Sequence, residues 1–178
     1  PPVNDNFNDA IKISSVGGRF LTNNQFATLE EGEPFHAGLS GAQQSLWWSW
    51  SPKESGNVLI DTSGTGFDSI LAVYEGNSLD ALTPFASVDN VGNKKQAYLD
   101  LKVEAGSSYR IAVASTASSR GGTLRLRIQP NGVLDTTPPV VNFLSPANGF
   151  LSKERQIIVK GYSFDPEPNA SGINQVFI

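Results

Sequence analysis

The chain has a single histidine, His36, among 17 acidic residues and many serines, so a Ser–His–acid relay is the first chemistry to weigh. His36 lies in Glu33-Pro34-Phe35-His36-Ala37-Gly38, which reads as a turn between strands. No Gly-x-Ser-x-Gly elbow is present to expose a serine nucleophile. We therefore expect His36 to be structural and the chain not to be an enzyme. One histidine and no cysteine leave zinc with carboxylates alone, and the missing cysteines exclude disulfides and thiol nucleophiles. The carboxylate pairs Glu30/Glu33 and Asp61/Asp68 have the residue types of a glycosidase, which needs two carboxyls roughly 5–9 Å apart across a cleft. Asp61 and Asp68 bracket a Gly-rich turn, which favours turn and strand-end hydrogen bonding instead. Calcium takes about six to eight oxygen ligands, and Asn4, Asp5, Asn6 and Asp9 gather oxygens at the start of the chain. Helix capping by Asn4 or Asp5 would use the same atoms. No EF-hand pattern occurs; Asp89-Asn90 and Asp165/Glu167/Asn169 are further oxygen-rich stretches.

Trp47, Trp48 and Trp50 fall on one apolar segment. On a strand, Trp48 and Trp50 share one face, and Trp47 points to the other with Ser49. If that second face is solvated, Trp47 is a stacking platform for a sugar ring or a proline. Burial under a loop or a neighbouring domain is the competing reading, and both stay open here.

Strands must position these groups. Ser45–Ser51, Asn57–Thr62, Ser69–Tyr74, Ala97–Val103, Ser108–Ala114 and Thr123–Ile128 are short, rich in β-branched and aromatic residues, and bounded by turn formers. Leu124, Leu126 and Ile128 alternate with Thr123, Arg125 and Arg127; Leu99, Leu101 and Val103 alternate with Tyr98, Asp100 and Lys102. Helical turns are expected only within Asp5–Ile13 and Asn77–Leu82, the latter capped by Asn77 or Ser78. Ser115–Gly122 reads as a hairpin connection and lacks the Lys-Ser/Thr ending of a phosphate loop. Asp135–Pro139 marks a boundary. Strands then restart at Val140–Leu144, Gln156–Tyr162 and Ile173–Ile178, with turns at Pro146–Gly149 and Asp165–Gly172. The expectation is an all-β protein: a jelly-roll-like antiparallel β-sandwich over residues 1–132, a linker at 133–139, and a partial immunoglobulin-like β-sandwich over 140–178. Three strands fall short of the seven or so that such a sandwich needs, so the second domain is expected to be truncated or completed by another chain.

Composition narrows the partners. The formal net charge is −4, which disfavours a nucleic-acid binder. The charge is uneven: residues 1–91 carry 11 acids and 3 bases, and residues 92–134 carry 2 acids and 7 bases. The basic stretch, with Lys94, Lys95, Arg110, Arg120, Arg125 and Arg127, either balances the acidic half or docks an anionic polymer. No apolar run is long enough to span a membrane. Methionine is absent, initiator included, so a processed product or an excised fragment is expected.

Several motifs together carry a resemblance. They are Asn4-Asp5-Asn6-Phe7-x-x-Ala10, the run Ala27-Thr28-x-Glu30-x-Gly32-Glu33-Pro34-x-His36-x-Gly38, Ser45-x-Trp47-Trp48-x-Trp50, Phe67-Asp68-x-x-Leu71-x-Val73-Tyr74-x-Gly76, and Ala105-Gly106-x-x-Tyr109-x-Ile111-Ala112-Val113. Across residues 3–130 the chain resembles the bacterial pre-peptidase C-terminal (PPC) domain. Thr137-Pro138-Pro139, Asp165 and Ser171-Gly172-Ile173 are similar to the first half of a bacterial immunoglobulin-like repeat. The resemblance implies a module of a secreted or cell-surface bacterial protein, calcium-stabilised through Asn4 and Asp5, because related collagen-binding modules use an Asn-Asp pair there as ligands. Those modules also place aspartates before the first core strand, where Gly41–Ser45 has no acid. The implied role is adhesion, targeting or spacing, with an extracellular polysaccharide or protein polymer and neighbouring domains as partners, and neither nucleic acid nor membrane insertion. The alternative is a carbohydrate-binding module of a polysaccharide-active enzyme.

Overall fold

The computed structural model describes residues 1–90, 94–130, 140–145 and 160–164. The chain divides into two compact units, Pro1–Gly132 and Val133–Ile178. In the first unit the strands are β1 (Ile11–Lys12), β2 (Gly18–Asn23), β3 (Gln43–Trp50), β4 (Gly56–Asp61), β5 (Ser69–Glu75), β6 (Thr83–Val88), β7 (Tyr98–Val103), β8 (Tyr109–Ser115) and β9 (Thr123–Pro130). The described helical elements are single 3-10 turns at Phe7–Asp9, His36–Gly38 and Leu79–Ala81. The first and last of these lie inside the stretches expected to turn helically, and the His36–Gly38 turn lies in the segment read as a turn between strands. The last begins after Ser78, whose side chain makes no cap hydrogen bond. No helix among the described residues is long and apolar enough to cross a membrane.

The strands form two sheets, ordered β1-β3-β8-β5-β6 and β2-β9-β4-β7. Apart from the short parallel pairing of β1 with β3, every pairing is antiparallel. Setting β1 aside, each sheet holds four strands, and six of the eight stay separated from their sequence neighbours within their sheet. Only the β5–β6 hairpin joins neighbours. This crossing back and forth is a jelly roll. The two inner faces meet in one core. β3 contributes Leu46, Trp48 and Trp50; β4 Val58 and Ile60; β5 Leu71 and Val73; β8 Tyr109, Ile111 and Val113; β9 Leu124, Leu126 and Ile128. The alternation read in β9 and β7 points as expected, with Leu99 and Leu101 packed on this core.

Three strands had no sequence forecast: β1, β2 and β6. β6 carries Pro84 and sits at a sheet edge, where a missing N–H breaks no ladder. The β5–β6 register slips between Val73 and Tyr74, the place where Pro84 pairs. β2 alternates, but Leu21 on its outward side is 70% exposed and blurs the pattern.

In the second unit, β10 (Val140–Ser145) and β11 (Lys160–Phe164) pair antiparallel. β10 covers the expected strand at Val140–Leu144, and β11 overlaps the one expected at Gln156–Tyr162. The expected linker at 133–139, the turns at Pro146–Gly149 and Asp165–Gly172, and the strand Ile173–Ile178 lie outside the described residues. So does most of what would make an immunoglobulin-like sandwich.

Candidate functional site

The outer face of the five-stranded sheet is where the chemistry-bearing residues gather. Trp47 on β3, Ala72 and Tyr74 on β5, and Ala112 on β8 point away from the main core. The N-terminal turn lays Phe7 over them, with Ala10, Leu79 and Leu82 alongside. His36 comes in from its own 3-10 turn and stacks against both Trp47 and Tyr74, ring centres 5.6 and 5.8 Å away. Phe7 meets Trp47 edge-on at 5.3 Å, and the Arg110 guanidinium sits 4.7 Å above the Phe7 ring. Trp47 is fully buried. Of the two readings left open for it, platform and burial, the structure places it under a roof. Strand geometry did turn it away from the core, but residues far away in sequence roof it over.

Glu33 is the hub of this layer. Its Oε1 accepts from the Glu30 N–H at 2.9 Å, the Ser45 hydroxyl at 2.8 Å and the Trp47 indole N–H at 3.3 Å. Its Oε2 lies 2.9 Å from His36 Nε2. His36 Nδ1 lies 2.7 Å from the Tyr74 hydroxyl. An ionised carboxylate only accepts, so Nε2 carries a proton; in the neutral imidazole, Nδ1 then accepts from the Tyr74 hydroxyl. Burial pushes the Glu33 pKa up, but hydrogen bonds from His36, Glu30 and Ser45 outweigh it and leave the carboxyl below its ordinary value. Burial first, then the Glu33 charge, drives the Tyr74 phenol well above its usual range.

Serine, histidine and acid do meet here, in the wrong order for acyl transfer. A nucleophilic serine must hand its proton to the imidazole. Ser45 instead donates to Glu33, and both Ser45 and His36 are buried. The paired carboxylates are engaged in the same way. Glu30 Oε2 accepts the Phe7 N–H at 2.9 Å. Asp61 accepts the Ser63 N–H at 3.0 Å and the Arg127 Nε–H at 2.7 Å. Both roles are the turn and strand-end bonding expected of Asp61. Asp68 and Asp89 each keep one buried oxygen without a partner, and burial, then the Asp68 charge, holds Asp89 above its ordinary pKa.

Asn4 and Asp5 are buried at the edge of this layer. Asn4 clips to Trp47: its side-chain Nδ2–H donates to the Trp47 carbonyl, and its backbone carbonyl accepts the Trp47 N–H, both at 2.9 Å. Asp5 takes the Thr28 N–H at 2.6 Å and the Thr28 hydroxyl at 3.1 Å. Neither residue caps the 3-10 turn that follows, whose N-cap is Asn6 without a side-chain bond. Asn4 Oδ1 is buried without a partner. That atom is one free donor for calcium, but both Asp5 oxygens are spoken for. No group of three acidic, histidine or cysteine side chains gathers around a common point among the described residues. The donors present at Asn4 and Asp5 fall short of the coordination calcium takes. A groove of about 300 Å³ lies elsewhere, lined in part by Val16, Pro52, Lys53 and Val103, and none of the buried acid–histidine layer reaches it.

No protein-family model matches the chain, and no curated protein matches it. Similar solved structures include two modules. One is the pre-peptidase C-terminal domain of a collagenase from Bacillus anthracis, at 12% identity and a TM-score of 0.45, covering 67% of this chain and 94% of that one. The other is a family 35 carbohydrate-binding module from an environmental isolate, at 16% identity and a TM-score of 0.33, covering 65% of this chain and 85% of that one.

Sequence reasoning gave no sign of Asn24. It is fully buried, donates to the Gln44 carbonyl at 2.9 Å and accepts the Gly122 N–H at 2.8 Å. It thereby ties the end of β2 to the bulge in β3 and to the loop before β9. Gly121 shares this junction at φ +68°, where a Cβ would lie 2.5 Å from Asn24 Oδ1, so glycine is required there. The only sequence signal was the Gly121-Gly122 pair itself.

Proposed function

We propose that residues 1–130 form a non-catalytic β-sandwich module of a secreted or cell-surface multidomain bacterial protein, one that holds it to an extracellular polymer. The observation that carries this reading is the state of the chain's one histidine. His36 is locked between Glu33 and Tyr74, buried, with the nearby Ser45 hydroxyl aimed at the carboxylate rather than the ring. Groups that could do hydrolysis are spent on roofing a sheet. Adhesion, targeting of a neighbouring domain and spacing all fit such a module. A carbohydrate-binding role gains support from the second outer face, which is basic, exposes Arg19 and Lys102, and carries Tyr98 half-buried on β7.

The test is retention of the purified chain on a panel of insoluble polysaccharides and matrix proteins, followed by analysis of the supernatant. Retention without new reducing ends or new peptide termini is the expected result. Turnover of any polymer overturns the non-catalytic reading, and failure to bind the whole panel reduces the module to a spacer.

A further inference from the structure

We propose that the outward face of the four-stranded sheet binds a linear anionic polysaccharide, carboxylated or sulfated, along the row Arg19–Arg127–Tyr98. This rests on the reading above that the module holds a polymer. The register builds the row. Arg19 on β2 is opposite Arg127 on β9; Arg127 is opposite Asp61 on β4; Asp61 is opposite Tyr98 on β7. Leu21 and Arg125 are opposite one another in the next row, and Asn57 and Lys102 in a further one. Residues opposite each other in an antiparallel pair share a face.

Three features distinguish this face. First, its flanks are open: Arg19 and Lys102 are exposed and Leu21 is 70% exposed, while Leu59 and Asp61 at its centre are buried and the Gly64 turn packs on the Arg125 side chain; the opposite outer face is roofed by Phe7 and His36. Second, its charge runs against that of the chain. Four cations, Arg19, Lys102, Arg125 and Arg127, face two carboxylates, Asp61 and Asp100, in a chain of net charge −4. Asp61 and Arg127 cancel within their 2.7 Å pair, which fixes that guanidinium and leaves Arg19, Lys102 and Arg125 against Asp100. The acids Asp5, Asp9, Glu30, Glu31 and Glu33 belong to the N-terminal segment and the loop that roof the other sheet. The field of the molecule therefore steers a polyanion to this side. Third, the row is long. Strands lie about 4.8 Å apart, so it spans roughly 14 Å, with donors on the first, second and fourth strands and Asp61 on the third, which suits an extended ligand. An arginine fork pairs with carboxylate or sulfate through two parallel hydrogen bonds, and the Tyr98 ring closes the row with an apolar surface and a hydroxyl.

The experiment is affinity electrophoresis and column retention of the full chain on heparin and polygalacturonate, with dextran as the neutral control and duplex DNA as a second polyanion. The chain is expected to be retained by at least one anionic polysaccharide, to pass dextran, and to elute as salt is raised. The double variant Arg19→Glu/Lys102→Glu is expected to bind about tenfold more weakly, and Lys12→Glu/Lys53→Glu to bind like the parent. All four lysine and arginine side chains are exposed and none makes a hydrogen bond or ion pair among the described residues, so an unchanged melting curve certifies each variant as folded. Retention that ignores Arg19 and Lys102 overturns this face as the site. Passage through every anionic column with retention on a neutral polymer overturns this inference and leaves the polymer-holding module standing. Duplex DNA held as tightly as the polysaccharides overturns the assignment to a polysaccharide.

Discussion

Replacing Glu33 with alanine is the sharpest test of the buried layer. Four donors lose their acceptor: the Glu30 N–H, the Ser45 hydroxyl, the Trp47 indole N–H and His36 Nε2–H. They do not lose equally. The Ser45 hydroxyl also reaches the Thr28 carbonyl at 3.2 Å, so it keeps a partner. Glu30 is only half-buried, so its N–H can find water. Trp47 and His36 are sealed, and a buried donor left unpaired costs roughly 1–3 kcal/mol. Relief from burying a charge offsets part of this, so the net loss is about 3 kcal/mol. For a unit of this size that is a drop of about 12 °C in Tm. The assay is thermal unfolding followed by circular dichroism at pH 7 and again in acid. The sign with pH follows from the lowered Glu33 pKa. The stabilisation is present above the unfolded carboxyl value, near 4.3, and is lost as pH falls through the lower folded value. The gap between parent and Glu33→Ala should therefore narrow below about pH 4. A drop under about 3 °C at pH 7, or a gap that widens in acid, refutes the hub role.

Four further outcomes are expected. Asn24→Ala removes both bridging bonds of a buried amide and should cost about 2–3 kcal/mol in urea unfolding. Trp47→Ala should cost about 3–5 kcal/mol and leave retention on any polymer that binds the parent unchanged, since the ring is under the roof rather than on a surface. Millimolar calcium against excess EDTA should leave the Tm where it is; a rise of several degrees that vanishes in Asn4→Ala would show that the free Asn4 oxygen recruits an ion after all. Asp89 sits above its ordinary pKa, so its stabilising effect is present below about pH 4 and lost as pH rises through the folded value; Asp89→Asn should gain about 0.5 kcal/mol at pH 7 and nothing in strong acid.

Strand alternation makes the inner core legible in the sequence. Leu124, Leu126 and Ile128 could only be one face of a strand, and Trp48 and Trp50 had to lie opposite Trp47. Punctuation by glycine and proline placed most strand ends within a residue or two. The layer above β3 and β5 was not legible. Its makers, Phe7, Glu33 and His36, come from irregular segments with no period, and their contacts with Trp47 join residues 11 to 40 positions apart. A motif containing Glu33 and His36 signalled a turn, but not that the turn folds inward over a tryptophan. Edge strand β6 stayed hidden because Pro84 counts against a strand everywhere except at an edge.

The roof also explains why the polymer face belongs on the other sheet. An outer sheet face bearing Trp47, Tyr74 and Ala112 is too apolar to leave wet, and the chain covers it with acidic loops whose carboxylates point inward to backbone and indole N–H groups. That solution places negative charge on one side of the sandwich. The bases of β2, β7 and β9 then fall on the side that needs no roof, because its outward residues are mostly polar and its lone exposed apolar side chain is Leu21. A sheet can leave one face in water when alternate residues are polar, and this one does. The asymmetry that seals the first face is thus the same asymmetry that leaves the second open and basic. A variant that discharges the acidic loops without unfolding them, such as Glu31→Gln on the exposed side of the roof, should change retention on a polyanion only slightly and through the long-range field. Charge reversal at Arg19 acts at contact distance and should dominate. A larger effect from Glu31 than from Arg19 would mean that overall charge, rather than the sheet face, sets the binding.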